Sequence, residues 1–184
     1  NDNFAVTPGG LDSASYTGSL SADWTLGEKT LSSLTGYNEL QHDRYRDDDY
    51  SAPEYHWASQ LQKQDEWSQE LRLSSGTDQK LQWMAGLYLY SLDRSETVTS
   101  YYIGDFSYLG GLHTVTDMDV DEVAAFGSLG FNLLENVQAT LDARYAKEEK
   151  KVKAVDTALN QGARSEFDNS HSWNMFLPKI TIDW

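Results

Sequence analysis

Six segments of this 184-residue chain alternate apolar and polar residues with a period of two, and the gaps between segments are alternately very short and very long. The clearest is Ser15–Leu26, where Tyr16, Gly18, Leu20, Ala22, Trp24 and Leu26 share one face and Ser15, Thr17, Ser19, Ser21, Asp23 and Thr25 the other. Val137–Glu148 repeats it, with Val137, Ala139, Leu141, Ala143 and Tyr145 set against Gln138, Thr140, Asp142 and Arg144. Such a period belongs to a strand with one apolar and one wet face.

Strands are expected over Ser15–Leu26, Thr30–His42, Glu66–Ser75, Leu81–Arg94, Asp119–Leu133, Val137–Glu149 and Asn174–Trp184, the second with the poorest alternation. Gly27-Glu28-Lys29, Gly76-Thr77-Asp78-Gln79-Lys80 and Leu134-Glu135-Asn136 make the short connections. The gaps near 43–65, 95–118 and 150–173 each exceed twenty residues. Structureless loops that long are uncommon and usually functional. Short turns at one end of a sheet and long loops at the other describe an outer-membrane β-barrel, with turns in the periplasm and loops outside the cell.

Composition neither contradicts this nor proves it. Mean hydropathy is −0.61, and no apolar run is long enough for a spanning helix. A membrane barrel needs none, because only alternate strand residues face lipid. The absence of cysteine rules out disulfides and thiolate chemistry. A net charge of −15 disfavours nucleic acid as a partner. The sequence opens at Asn1 with neither a methionine nor a signal sequence, so a mature or truncated segment is expected, with residues 1–14 a polar loop or tail and 15–184 the barrel region.

The faces carry the membrane reading further. Leu81-Trp83-Ala85-Leu87-Leu89, Val123-Ala125-Gly127-Leu129-Phe131-Leu133 and Val137-Ala139-Leu141-Ala143-Tyr145 hold no charge, as expected where Arg or Lys at mid-bilayer costs about 2–4 kcal/mol. The opposite faces hold Glu70, Arg72, Asp142 and Arg144 in mid-strand, which suits a wet lumen better than a packed interior. Gln69 is the one blemish on the apolar side of its strand. Trp24, Trp83 and Trp184 fall near the short-turn ends, and Trp67 and Tyr145 near the long-loop ends, so two interfacial aromatic girdles are expected. Two alternatives share the pattern. One is a soluble β-sandwich that binds carbohydrate. The other is a small closed barrel, such as an adhesin, in which Phe4-Ala5-Val6-Thr7 supplies an eighth strand, although Pro8-Gly9-Gly10 interrupts it.

Particular runs resemble one family. Trp67-Ser68-Gln69-Glu70-Leu71-Arg72-Leu73-Ser74-Ser75 resembles the S-Q-E-L-R-L-x-S strand of TonB-dependent outer-membrane receptors of proteobacteria. Leu34-Thr35-Gly36-Tyr37 before it and Leu81-Gln82-Trp83-Met84-Ala85-Gly86-Leu87-Tyr88 after it are similar to neighbouring strands of that family. So are Ala124-Ala125-Phe126-Gly127 with Phe131-Asn132-Leu133, then Arg144-Tyr145 with Glu148 and Lys150, and finally Phe176-Leu177-Pro178-Lys179-Ile180. Six matches in the family's order span about residues 34–182. The chain departs from the pattern at Asp142-Ala143, where the family usually carries glycine, and shows no plug domain or TonB-contacting box. Seven strands are an odd number, and a plugged lumen takes about twenty-two. The expected fold is therefore all-β, a section of a transmembrane antiparallel up-and-down barrel.

The resemblance implies a receptor in a Gram-negative outer membrane, embedded in lipid and lipopolysaccharide. It would take up a scarce, large nutrient (ferric siderophore, cobalamin, haem or oligosaccharide) with energy from the TonB complex acting through a plug. No bond in the substrate is made or broken, and no cofactor is implied. Specificity would then lie in the long loops. Aromatics beside charges can stack on a ligand while the charges orient it, which selects Arg44, Tyr45, Arg46, Tyr50, Tyr55 and Trp57 in the first loop and Tyr101, Tyr102 and His113 in the second. Loop-on-loop packing is the competing role for these residues. Asp47–Asp49 lack the spacing and glycine turn of a calcium loop, and Asp117, Asp119 and Asp121 read as a solvated strand face. No histidine pair has metal-ligand spacing, and nothing fixes Ser170, His171 and Asp168 as a catalytic triad.

Overall fold

The computed structural model describes residues 9–49, 55–76, 79–134 and 136–184. They form one antiparallel sheet in chain order: β1 (Gly10–Leu26), β2 (Lys29–Asp47), β3 (His56–Ser75), β4 (Leu81–Tyr102), β5 (Gly111–Leu134), β6 (Val137–Ala158) and β7 (Arg164–Asp183). Each strand pairs with the next, as an up-and-down barrel wall requires. At one end the connections are tight. β1 passes to β2 through Gly27 and Glu28, with Gly27 at φ +65°, a conformation that costs glycine nothing.

At the other end the strands run on past the expected boundaries. Residues 43–65, 95–118 and 150–173 are mostly strand, and the connections shrink to residues 48–55, 103–110 and 159–163, the second carrying a 3-10 helix at Gly104–Leu109. β1 also takes in residues 10–14, which the sequence assigned to a tail. Phe4-Ala5-Val6-Thr7 lies outside the described residues.

Paired residues on antiparallel strands share a face, so the register sorts every side chain. One face carries Leu20, Leu71, Leu87, Ala125, Leu141 and Ile180 in its turn-proximal half, an apolar belt crossing the sheet. In a barrel with a wet interior this is the outer face. The belt ends at Tyr16 on β1, Tyr37 and Trp67 on β2 and β3, Leu89 and Val123 on β4 and β5, and Tyr145 and Phe176 on β6 and β7. Along the paired rows that boundary slips two residues at each of three steps over six pairings, or one residue per strand. With about 3.3 Å of rise against about 4.8 Å between strands, this stagger is a tilt of roughly 35°, as in closed barrels.

Beyond the belt the same face becomes charged. Glu39, Asp65, Asp93 and Asp119 stand directly opposite one another across four strands, followed by Lys151 on β6. The inner face changes in the reverse sense. It bears Glu70, Arg72, Glu122 and Arg144 beside the belt, and Met118, Val120, Val152, Phe167 and Trp173 in the far half. The strands outrun their sequence boundaries for this reason: past the carboxylate row the pairing continues, but the apolar residues change sides.

Among the described residues nothing packs on either face. The buried apolar residues among those described are Ala58, Ala124, Ala139 and Ala146, while Leu20, Leu87, Phe176 and Ile180 are 57–73% exposed. A sandwich needs a second sheet about 10 Å away, and the described residues supply only one. The poor alternation of β2 also has a cause. Ser33 and Thr35 lie in the belt beside Gln69, which accepts from Thr35 Oγ1 at 2.6 Å and donates through Nε2 to Ser33 Oγ at 2.9 Å. The three polar groups satisfy one another within an otherwise apolar belt.

Candidate functional site

The inner face is zoned from the turns to the far end. Nearest the turns lies an uncharged concavity of 320 Å³ lined by Gln82, Met84, Ser128, Gly130, Gln138 and Thr140. Next comes a charged belt. Arg144 pairs with Glu122 and lies 5.1 Å over the Tyr88 ring, and Arg72 pairs with Glu70. Glu122 and Glu148 face each other across β5 and β6, so Arg144 offsets a like-charge repulsion.

The far half holds two concavities. One, of 210 Å³, is lined by Leu11, His42, Arg44, Gln60 and Gln62. Beside it Arg94 pairs with Glu96 and donates to Gln62 at 3.3 Å, while Gln60 donates to Glu96 at 2.9 Å, so the glutamines are held in place. The other, of 470 Å³, is lined by Lys150, Val152, Phe167, Asn169, His171 and Trp173 on β6 and β7. Both lie on the inner face of the far half.

Alternation divides the residues selected from sequence. Arg44, Arg46 and Tyr102 fall on the inner face, where Tyr102 stacks on His56 at 4.5 Å. Tyr45, Trp57 and Tyr101 fall on the outer face and pack together, Trp57 lying 4.1 Å edge-on to Tyr101 and 6.5 Å from Tyr45. His113 is also outward, its Nδ1 2.8 Å from Thr99 Oγ1. Tyr55 joins two connections, edge-on to Phe106 at 4.9 Å while its carbonyl accepts from Ile103 N at 2.8 Å. Tyr50 lies outside the described residues. Neighbours in sequence are thus on opposite sides of the wall.

The acidic triplet closes a turn. Asp49 accepts from the backbone N–H groups of Tyr55 at 2.9 Å and His56 at 2.6 Å, and Arg46 Nε pairs with Asp48 at 2.5 Å. Asp117, Asp119 and Asp121 line the outer face of β5. His171 faces inward and Asp168 and Ser170 outward, so these three do not meet. The cluster that the sequence reading missed is Phe167, His171 and Trp173. Its signal was an aromatic period of two inside a stretch read as loop.

Of the girdle residues, Trp24, Trp67, Trp83 and Tyr145 all lie on the outer face, with the Lys29 ammonium 5.7 Å over the Trp83 ring. Trp184, one residue past β7, is 93% exposed.

No family model matches the chain, and no curated protein does. Solved structures do. The ferric yersiniabactin uptake receptor FyuA from Yersinia pestis superposes with a TM-score of 0.74 over 94% of this chain at 14% identity. The ferric-catecholate import receptor Fiu from K12 E. coli gives 0.59 over 94% at 11%, and the ferric citrate transporter FecA gives 0.54 over 94% at 12%. The chain spans 26%, 30% and 25% of those three chains, in that order. At these identities the likeness is one of fold. With the belt, the stagger and the unbroken up-and-down order, this chain has the fold of a seven-stranded section of the barrel wall of TonB-dependent receptors.

Proposed function

We propose that this chain is part of the wall of an active-uptake receptor in the outer membrane of a Gram-negative bacterium, and that its cargo is a ferric chelate. The observation that carries the reading is the reversal of amphipathicity at the Glu39–Asp65–Asp93–Asp119 row. On the turn side the outer face suits lipid and the inner face suits water. On the far side a charged-outside sheet continues for about six to nine residues per strand, a chamber wall rather than a membrane span. The three matched structures are a ferric yersiniabactin receptor, a ferric-catecholate receptor and a ferric citrate transporter, which favours that cargo over cobalamin, haem or oligosaccharide.

In this reading Trp24 and Trp83 anchor the periplasmic interface, and Tyr37, Trp67 and Tyr145 the outer one, beside lipopolysaccharide. Arg44, Arg46 and Tyr102 face the ligand. Tyr45, Trp57, Tyr101 and His113 brace the strand tips from outside. Energy from the TonB complex would act through a plug seated against the charged inner belt.

The test is uptake. Cells lacking the gene are given radioiron chelates under iron limitation, with and without functional TonB. Loss of uptake of one chelate class on deleting the gene with TonB intact, and equally on removing TonB with the gene intact, supports the proposal. Undiminished uptake of every chelate, or recovery of the protein from the soluble fraction, overturns it.

A further inference from the structure

We infer that the inner-wall concavity on β6 and β7 is a subsite for a planar aromatic ring bearing an anionic oxygen, an inference that rests on reading this face as the lumen. The register builds it. Lys150 stands directly opposite His171, Glu148 opposite Trp173, Val152 opposite Asn169 and Ala154 opposite Phe167. The small Ala154 leaves the space beside the Phe167 ring open. On the β5 side Val120 is paired with Lys150 and Met118 with Val152, which gives the pocket an apolar shoulder.

Phe167 is 55% exposed and Trp173 41% exposed, on the same face of β7 as His171. His171 sets the indole from the side, its ring 4.6 Å away at 61°. At 470 Å³ the concavity falls within the roughly 300–1,000 Å³ typical of small-molecule sites.

The lysines supply the charge argument. Lys151 and Lys153 point outward, and each has a carboxylate, Glu149 at 3.2 Å and Glu166 at 3.1 Å. Lys150 points inward, and among the described residues neither it nor His171 has an ionic or hydrogen-bonding partner. A cation without a partner beside exposed rings fits a ligand that brings both a π-face and a negative oxygen. Glu148 bears the opposite charge on the turn side of Trp173, so the anionic oxygen points toward Lys150 and away from it.

The experiment uses the full-length protein in detergent, with 2,3-dihydroxybenzoate as probe, catechol as its uncharged counterpart and citrate as a non-aromatic anion, measured by calorimetry. Wild type is expected to prefer 2,3-dihydroxybenzoate over both. Trp173→Leu and Phe167→Ala should each weaken it at least tenfold. Lys150→Gln should bring its affinity down to that of catechol, and Lys151→Gln should leave it unchanged. Heat-modifiable migration on gels verifies that each variant is folded. Equal affinity for the three probes, or unchanged affinity in Lys150→Gln and Trp173→Leu, overturns the subsite. Chelate uptake that persists in knockout cells while the purified protein shows the expected probe pattern overturns the transport reading and leaves the subsite standing. Lost uptake with unaltered probe affinity in the variants does the reverse.

Discussion

The turn-proximal and far halves of this sheet share strands, register and hydrogen-bond ladders, yet their side-chain chemistry is inverted. Near the turns Leu87 and Leu141 point outward and Arg72 and Arg144 inward. From the carboxylate row onward Asp93 and Lys151 point outward, and Val152 and Phe167 inward. Backbone geometry does not distinguish the halves, so the difference records what lies outside each. A β-ladder is indifferent to which of its faces is apolar, and a single strand can therefore serve two surroundings in succession.

The sharpest way to break the comparison is one substitution made twice on the same face. Leu141→Arg, in the belt, should cost about 2–4 kcal/mol and impair assembly, whereas Thr97→Arg, beyond the carboxylate row, should stay within about 0.5 kcal/mol. Urea unfolding of the full-length protein in lipid vesicles measures both. Equal costs would show that the belt does not face hydrocarbon.

A second test addresses how tightly the belt half is packed. Gly86 lies opposite Phe126 on the inner face, and a Cβ there would meet that ring and come 2.8 Å from the Leu71 carbonyl oxygen. Gly86→Val should displace the ring at about 1–3 kcal/mol, read in the same titration. Arg144→Ala should be milder, about 1 kcal/mol, because the pair is half wet and the cation–π contact is modest. A double-mutant cycle with Glu122→Gln isolates the ion pair.

The smallest effect belongs to the far half. The Asp93 carboxyl is held above its ordinary 3.8 by partial desolvation and then by Asp119 opposite, with Asp121 and Asp65 adding repulsion. A carboxyl raised on folding favours the folded state only while protonated, so its contribution is present below pH 3.8 and lost as pH rises through the folded-state value. Asp93→Asn should therefore stabilise the protein at neutral pH, by no more than about 0.5 kcal/mol, and the gain should vanish in acid. Unfolding curves at pH 7 and pH 3.5 compare the two proteins.

Much of this architecture was legible from residues alone. Seven strands, their order and their turn ends follow from alternation and from glycines such as Gly27. The far boundaries did not, because a search for strands with one fixed apolar face stops where that face turns charged, as at Asp93 and Asp119. The site suffered from the same cause. Arg44, Tyr45 and Arg46 look like one patch when composition is read along the chain, but alternation sends the tyrosine to the other side of the wall. Phe167, His171 and Trp173 went unnoticed because residues 150–173 were read as loop, although their even spacing marks them as one face. Once a stretch is taken as strand, parity decides which of its residues can act together.

The strands of 17 to 24 residues pass through both halves without a break, and this has a mechanical consequence. Inter-strand hydrogen bonds lie perpendicular to the strands, so a pull directed along the wall loads an entire ladder in shear. Many bonds then resist together, whereas peeling one strand from an edge would break them one at a time. Built this way, the wall behaves as a set of stiff staves under any load directed along them.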